Sequence, residues 1–287
     1  MLYLALSILI SSCLFVIFKL FEVYKINTLQ AIVVNYLVAF TIGYSLSDAS
    51  IGLNDIPQQP WFFGAVFLGA LFISVFNVMA LASQKNGLSV ASVAGKMSVV
   101  IPVIFGVLVY KESLGVVKVV GILLALVAVY LTAMKEKNIS NQRPFLLYPL
   151  LLFLGSGVID TSIKYFETVY VPKGGVTIFS ATIFLIAFLF GIVLICYKAI
   201  TSNINFEKKS IIGGILLGIP NYFSIEFLLK ALKTEGLESS ALFTINNVSI
   251  VLLTTIFGLL LFKEKLLPKN WIGIATAVVS IILVAIA

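Results

Sequence analysis

The stretch FGVLVYKE, residues 105–112, returns 152 positions later as FGLLLFKE, residues 257–264. Near the start of the chain, FKLFEVY (18–24) resembles part of IKYFETVY (163–170) at an offset of 145 positions. Further matches lie between these pairs in the same order, and their offset only grows along the chain. An ordered series of this kind indicates an internal repeat, because apolar composition alone would produce scattered matches.

The composition is that of a membrane protein. Of the 287 residues, 61% are hydrophobic and only 11% are charged, whereas soluble domains carry about a quarter charged residues. The net charge of +7 comes mostly from Lys and Arg at the edges of apolar runs, which lipid headgroups and topology explain without a nucleic-acid partner. Histidine is absent, and the two cysteines lie in apolar runs, so we expect no metal and no other cofactor.

Ten apolar runs are long enough to cross about 30 Å of hydrocarbon, and only short connectors separate them. The sequence therefore predicts an all-α polytopic membrane protein with ten transmembrane helices. The first run lacks a basic n-region and a clear cleavage site, so we interpret it as a span and not as a removable signal. The predicted spans are residues 2–20, 29–46, 61–83, 88–109, 114–134, 145–166, 174–197, 210–231, 239–262 and 270–287.

The repeat divides the chain into residues 1–138 and 139–287, with five predicted spans in each part. Because five is an odd number, the second part must enter the membrane from the opposite side. The predicted architecture is therefore a 5+5 inverted-topology repeat. Such repeats are typical of transporters, whose substrate sites lie near the bilayer midplane between the two parts.

Over essentially its whole length the chain resembles the EamA-type, ten-helix members of the drug/metabolite transporter superfamily. The most specific marks are Glu112 and Glu264, each followed nine residues later by the glycine of the next span. Family members usually have a small residue before this glutamate, where this chain has Lys111 and Lys263. The resemblance implies two EamA-type repeats and a carrier of small metabolites, not an enzyme, working by alternating access around a central cavity. We expect it to lie in a bacterial inner membrane.

The orientation in the membrane has two readings. Most Lys and Arg lie in the odd-numbered connectors, so the positive-inside rule predicts these connectors in the cytoplasm and both termini outside. The family resemblance implies the reverse, with both termini in the cytoplasm. Both orientations therefore stand as predictions.

Charges that occur in only one of the two repeats are the candidate functional groups. A charge at the centre of a membrane helix costs roughly 2.5–3.5 kcal/mol, so each needs a physical reason. Lys96 has no acidic residue three or four positions away, so it must pair with another helix, contact an anionic substrate group or lose its proton. Asp160 and Glu226 could bind a substrate amine or carry a proton. Each also has a lysine four residues later that could neutralise it on its own helix face.

Helical rise predicts a layer of polar groups on either side of the midplane. Asp160 and Glu226 fall about 7 to 8 Å to one side of the middle of their spans, and the pair 246–247 falls in the same layer. Asn77 and Lys96 fall on the other side. The two asparagines at 246 and 247 could line a cavity or merely join helices. The predicted substrate-binding residues are Asn77, Lys96, Asp160, Tyr222, Glu226, Asn246 and Asn247.

Two prolines, Pro102 and Pro220, lie in the middle of predicted spans. Proline frees a backbone carbonyl and kinks a helix, so both are hinge candidates. Small residues such as the Gly121 and Ala125 pair allow close helix approach, most simply within one chain and alternatively in a homodimer. The expected partners are membrane lipids and a small-molecule substrate, with a monomer or a homodimer as the assembly.

A membrane-embedded enzyme acting on a lipid-linked substrate is the alternative function. It would need clustered Asp, His, Cys or Ser at catalytic spacing. No paired-aspartate metal motif, nucleophile elbow or phosphate loop is visible in the sequence, and the connectors are short. A scaffold without transport activity would leave the charges inside the spans unexplained.

Overall fold

The structure is a computed structural model, and it describes residues 2–47, 51–110, 115–132, 134, 146–172, 175–201, 206–232 and 239–286. Every regular element in these ranges is helical. A short 3-10 helix, Leu53–Gln58, precedes the third long helix. The α-helices are α1 (Leu2–Val23), α2 (Thr28–Ser45), α3 (Phe62–Lys85), α4 (Leu88–Met97), α5 (Val100–Tyr110), α6 (Val116–Thr132), α7 (Leu147–Val169), α8 (Val176–Thr201), α9 (Lys208–Leu232), α10 (Ser239–Phe262) and α11 (Pro268–Ile286).

The predicted all-helical membrane fold is confirmed. Among the described residues, nine stretches are long and apolar enough to cross a membrane, and α6 is a shorter apolar helix of 17 residues. Each of the ten predicted spans coincides with one of these stretches. The 5+5 division at residue 138 stays a prediction, and Lys111 and Glu112 lie outside the described residues.

One predicted span, residues 88–109, is interrupted. Helix α4 ends at Met97 and α5 begins at Val100, with two turn residues between them. Pro102 explains the position of this break, because it has no N–H to donate to the carbonyl of Ser98, four residues earlier. The N–H of Ile101 donates to that carbonyl instead, at 2.9 Å and with three-residue spacing. The span is therefore two short helices in series.

The chain forms two compact units, each made of segments from both predicted repeats. Unit 1 comprises Met1–Lys19, Val78–Val158 and Phe223–Ala287, and unit 2 comprises Leu20–Asn77 and Ile159–Tyr222. In unit 1, α4 and α6 pack with α10 and α11. Val93, Met97, Ala128 and Val251 belong to the buried apolar cluster of this unit. In unit 2, α2 packs on α8, and Trp61 and Phe179 meet edge to face in a second apolar cluster.

Glycines let helix backbones approach closely inside each unit. In unit 1, a Cβ at Gly273 of α11 would lie 2.8 Å from the backbone nitrogen of Thr132 in α6, and Gly121 of α6 similarly contacts Val284. In unit 2, a Cβ at Gly218 of α9 would lie 2.8 Å from the carbonyl oxygen of Asn35 in α2. Gly121, which the sequence analysis links to close helix approach, thus lies at such an approach within one chain.

Candidate functional site

The predicted site residues divide between the two units. Unit 1 contains Lys96, Glu226, Asn246 and Asn247, together with the hinge candidate Pro102, whereas unit 2 contains Asn77, Asp160 and Tyr222, together with Pro220.

In unit 1, a buried polar network joins three helices. Ser7 of α1 is fully buried, and its hydroxyl donates to the carbonyl oxygen of Ser224 in α9 at 3.0 Å. The same hydroxyl oxygen lies 3.4 Å from Oδ1 of Asn246 in α10, whose amide is in turn 3.5 Å from Oδ1 of Asn247. Polar groups at membrane depth must find partners inside the protein. This network therefore connects the Ser7 side chain of α1 with the α9 backbone and with Asn246 of α10, whereas Asn247 contacts its own neighbour on α10.

Glu226 lies two residues after Ser224 on α9 and forms an ion pair with Lys230 at 3.2 Å. The Lys230 ammonium also lies 5.9 Å from the centre of the Tyr3 ring. The Glu226 side chain is 28% exposed, and ion pairs of such partly exposed groups contribute little to stability. The self-neutralised helix face, one of the two readings of Glu226, is thus the arrangement seen in the structure.

Lys96 lies in the last turn of α4 and is half-buried. The helix break at Ser98 places this residue in the last turn of a helix that ends in the middle of a span. Helix C-termini carry about half a negative charge, which favours a cation there. The sequence predicts an uninterrupted span over 88–109, and an uninterrupted helix would not provide this stabilisation.

In unit 2, the three predicted residues have different surroundings. Asp160 is exposed on α7. Asn77 donates its side-chain N–H to the carbonyl oxygen of Ile73, 2.7 Å away on its own helix. Tyr222 is 7% exposed, and its ring lies against Gly43 of α2, where an added Cβ would be 3.1 Å from the ring.

Unit 2 also contains a buried amide pair that the sequence reading missed. The Asn221 side chain donates to Oδ1 of Asn35 at 3.1 Å, and both residues are at least 96% buried. Asn221 was visible as a polar residue next to Pro220, but its partner lies 186 residues away in the chain. Only the fold reveals such a contact.

Unit 1 contains a second missed feature, at the ends of four helices. The Glu264 carboxylate accepts a hydrogen bond from the backbone N–H of Leu88 at 2.8 Å, so it caps the start of α4. Nearby, the Lys19 ammonium donates to the carbonyl oxygen of Gln84 at the end of α3, at 2.7 Å. Both contacts place a charged side chain against the backbone at the end of another helix. The described residues contain no group of three or more His, Cys, Asp or Glu side chains placed to hold a metal ion.

The fold and these intramembrane polar groups define a polytopic helical membrane protein with polar side chains buried between its spans. The model of the EamA-like transporter family matches residues 1–134. An uncharacterized protein of Haemophilus influenzae is 30% identical over 277 residues, which is 93% of this chain and 92% of that protein. The chain belongs to the EamA-like transporter family, and it is therefore a membrane transporter of the drug/metabolite type.

A solved structure supports the fold alone. A crystal structure of a protein superposes with a TM-score of 0.58 at 14% sequence identity, over 98% of this chain and 94% of the other. Members of the EamA-like family are transporters and not enzymes. The family therefore gives no support to the alternative of an enzyme acting on a lipid-linked substrate.

Proposed function

We propose that this chain is a secondary transporter that moves a small polar or amphipathic metabolite by alternating access, in efflux or exchange across a bacterial inner membrane. The observation that carries the proposal is the lysine at the broken helix. Interrupted helices and charged groups at membrane depth typically lie where a transporter binds its substrate. Lys96 combines both features at the end of α4.

The proposed roles follow from charge. Lys96 binds a carboxylate or another anionic group of the substrate through its ammonium, which has the opposite charge. Asp160 or Glu226 binds a substrate amine or carries a proton. The ion pair of Glu226 with Lys230 is weak enough for a substrate ammonium to compete with it. The remaining predicted contacts, through amide groups or an aromatic ring, are Asn77, Asn246, Asn247 and Tyr222.

Counterflow in proteoliposomes tests this assignment against a panel of amino acids, sugars and nucleosides. We expect Lys96→Met and Asp160→Asn to lose counterflow of the accepted compound at least about tenfold, because a removed ionic contact is worth more than about 1.4 kcal/mol. Matched controls are Lys198→Met, in the last turn of α8, and Asp55→Asn, in the 3-10 helix, both exposed.

The outcomes separate the class of function from the site. If both site variants retain the counterflow of the parent protein, the substrate contacts lie elsewhere. If the protein reconstitutes in a folded form but shows no saturable flux for any compound on the panel, this result counts against the proposed substrate class. A flux abolished by collapsing the proton gradient indicates coupling to protons, whereas an unaffected flux indicates facilitation or exchange.

A further inference from the structure

One end of unit 2 is defined by the way α8 packs on α2. A Cβ on Gly191 of α8 would collide with the Val33 side chain of α2. At the other end of the contact, a Cβ on Gly43 of α2 would lie 3.4 Å from the Cβ of Ala181 in α8. The two helices therefore run antiparallel in a constant register. Continued along α8, this register brings Tyr197 to the level at which α2 begins.

Helix α9 starts at the same level, because it runs parallel to α2. The Ser210 hydroxyl at its start accepts a hydrogen bond from the Asn27 N–H at 3.3 Å. One turn further along both helices, a Cβ on Gly214 would lie 2.6 Å from the carbonyl oxygen of Ala31. The end of α8 and the starts of α2 and α9 thus meet at one end of unit 2.

Lysines and aromatic residues form an exposed set at this end of unit 2. The three aromatic residues are between 64% and 70% exposed, and the three lysines are exposed as well. Lys208 comes two positions before Ser210, so it lies at the level of Lys25. We call this set the lysine–aromatic patch, and its members are Tyr24, Lys25, Tyr197, Lys198, Phe206 and Lys208.

Lys25 occupies a backbone position that usually belongs to glycine. It follows the end of α1 with φ of 51°, and its N–H donates to the Glu22 carbonyl oxygen at 3.2 Å. The next N–H, that of Ile26, donates to the Phe21 carbonyl oxygen at 2.8 Å. This is the pattern of a Schellman motif, in which glycine avoids the clash of a Cβ with the following carbonyl. A lysine held in this strained conformation points to a use for its side chain.

The patch is positively charged. Lysines outnumber acids four to two at this end of unit 2. One of the two acids, Glu207, forms an ion pair with Lys209 at 2.7 Å, so Glu22 is left to balance the three lysines of the patch. At the opposite end of unit 2, the described residues include two acids, Asp55 and Glu167, and one lysine. The two ends therefore differ in the sign of their charge.

An anionic phospholipid matches both the charge and the apolar surface of the patch. Tyrosine rings have an apolar body and a polar tip, so they favour the headgroup level of a bilayer. Lysine extends its apolar stem along such a surface and places its ammonium among the headgroups, where anionic lipids attract it. A soluble anion would neutralise the lysines but leave the aromatic side chains uncovered.

We propose that the lysine–aromatic patch is a binding site for an anionic phospholipid. The headgroup phosphate contacts Lys25, Lys198 and Lys208, and it thereby bridges the starts of α2 and α9 and the end of α8. The acyl chains lie along the exposed apolar face of α8, which includes Leu189 and Val193. The site does not involve the transported compound, so its test is independent of the proposed transport function.

A fluorescent label on Cys196 reports which lipid lies at the patch. Cys196 is exposed and directly precedes Tyr197, and Cys13 is first replaced by alanine so that one thiol remains. The labelled full-length protein is reconstituted into bilayers that contain a small fraction of nitroxide-labelled lipid. This lipid is either phosphatidylglycerol, which is anionic, or phosphatidylcholine, which is zwitterionic, with the nitroxide close to the headgroup. The ratio of quenching by the two lipids gives their relative affinity for this position.

We expect phosphatidylglycerol to quench the Cys196 label at least about threefold more effectively than phosphatidylcholine, because each lysine near the bilayer surface attracts anionic lipid. Combining Lys25→Gln, Lys198→Gln and Lys208→Gln should bring the ratio close to one. The corresponding triple arginine variant keeps the charge and should retain the preference. Lys164→Gln, which changes an exposed lysine at the opposite end of unit 2, is the matched control and should keep the parent ratio.

A parent ratio near one, or a preference that the triple glutamine variant keeps, would overturn the proposal. The same preference at a label on Thr168→Cys, an exposed position at the opposite end, would also overturn it, because the net charge of the whole protein would then be the cause. Inorganic phosphate should lower the ratio no more than sodium chloride of equal ionic strength does. Stronger competition by phosphate would identify a soluble anion, and not a lipid, as the occupant.

Discussion

At the scale of single residues, Asn270 shows how one buried amide can join two helix ends. Its Oδ1 accepts from the Leu267 N–H at 2.7 Å, which caps the start of α11. Its side-chain nitrogen lies 2.9 to 3.0 Å from three carbonyl oxygens at the end of α6, those of Leu131, Thr132 and Met134. An amide has two N–H donors, so these three carbonyls share them.

We therefore expect Asn270→Ala to destabilise the protein by about 1–3 kcal/mol, because it leaves buried polar groups without a partner. Unfolding by sodium dodecyl sulfate from a mild detergent, followed by circular dichroism, gives the change in free energy. Thr276→Ala on the same helix is the control, because that hydroxyl donates only to Ile272 in its own helix turn. Equal loss of stability in both variants would show that Asn270 does not join the two helices.

Some of these residues can be found from the sequence and others cannot. Lys96 and Asp160 stand out because a charge within an apolar run is visible without a fold. The cap that Glu264 forms on α4 is not visible in the sequence, since its partner Leu88 lies 176 positions away and contributes a backbone N–H, which every residue except proline has. Ser7 likewise looks like any small residue of a membrane helix until Asn246 is placed beside it.

At the scale of elements, the fourth predicted span has the right extent but hides a break. Periodicity and length cannot distinguish a continuous helix from α4 and α5 in series, because the two arrangements contain the same residues over the same stretch. Pro102 is the local signal, and the break falls at the carbonyl that it leaves without its usual donor. Pro220 gives the same signal, yet α9 runs without interruption from Lys208 to Leu232. A proline therefore marks a possible break, and packing decides whether it occurs.

Pro102→Ala restores the missing donor, so we expect α4 and α5 to join into one helix. This should stabilise the protein by up to about 3 kcal/mol, because the lost hydrogen bond and the ring clash are both removed. If the break is a hinge, counterflow falls several-fold in the same variant while stability rises. Pro220→Ala, within an uninterrupted helix, is the comparison. Higher stability of Pro102→Ala with unchanged counterflow would remove the hinge assignment.

At the scale of the whole molecule, the number of membrane crossings determines on which side of the membrane the C-terminus lies relative to the N-terminus. Among the crossings that the structure describes as one continuous helix, α6 is the shortest, and its 17 residues rise only about 25 Å, slightly less than a typical hydrocarbon core. It nevertheless packs along α11, and Ala125 and Ala277 are fully buried in unit 1. The inverted relation of the two repeats is a statement about crossing direction, which composition and helix content do not contain. It therefore stays a prediction.

Helices α4 and α5 together count as one crossing, which gives ten crossings in all. Because ten is an even number, both termini lie on the same side of the membrane, whichever side that is. We expect single cysteines placed at the N-terminus and after Ala287, in protein without Cys13 and Cys196, to react with an impermeant reagent from the same side. A cysteine at position 143, after five crossings, should react only from the other side. If α6 does not cross, position 143 and the N-terminus react from the same side, and the C-terminus from the other. Whole cells and inverted vesicles together then also decide between the orientation favoured by the lysines and the one implied by the family.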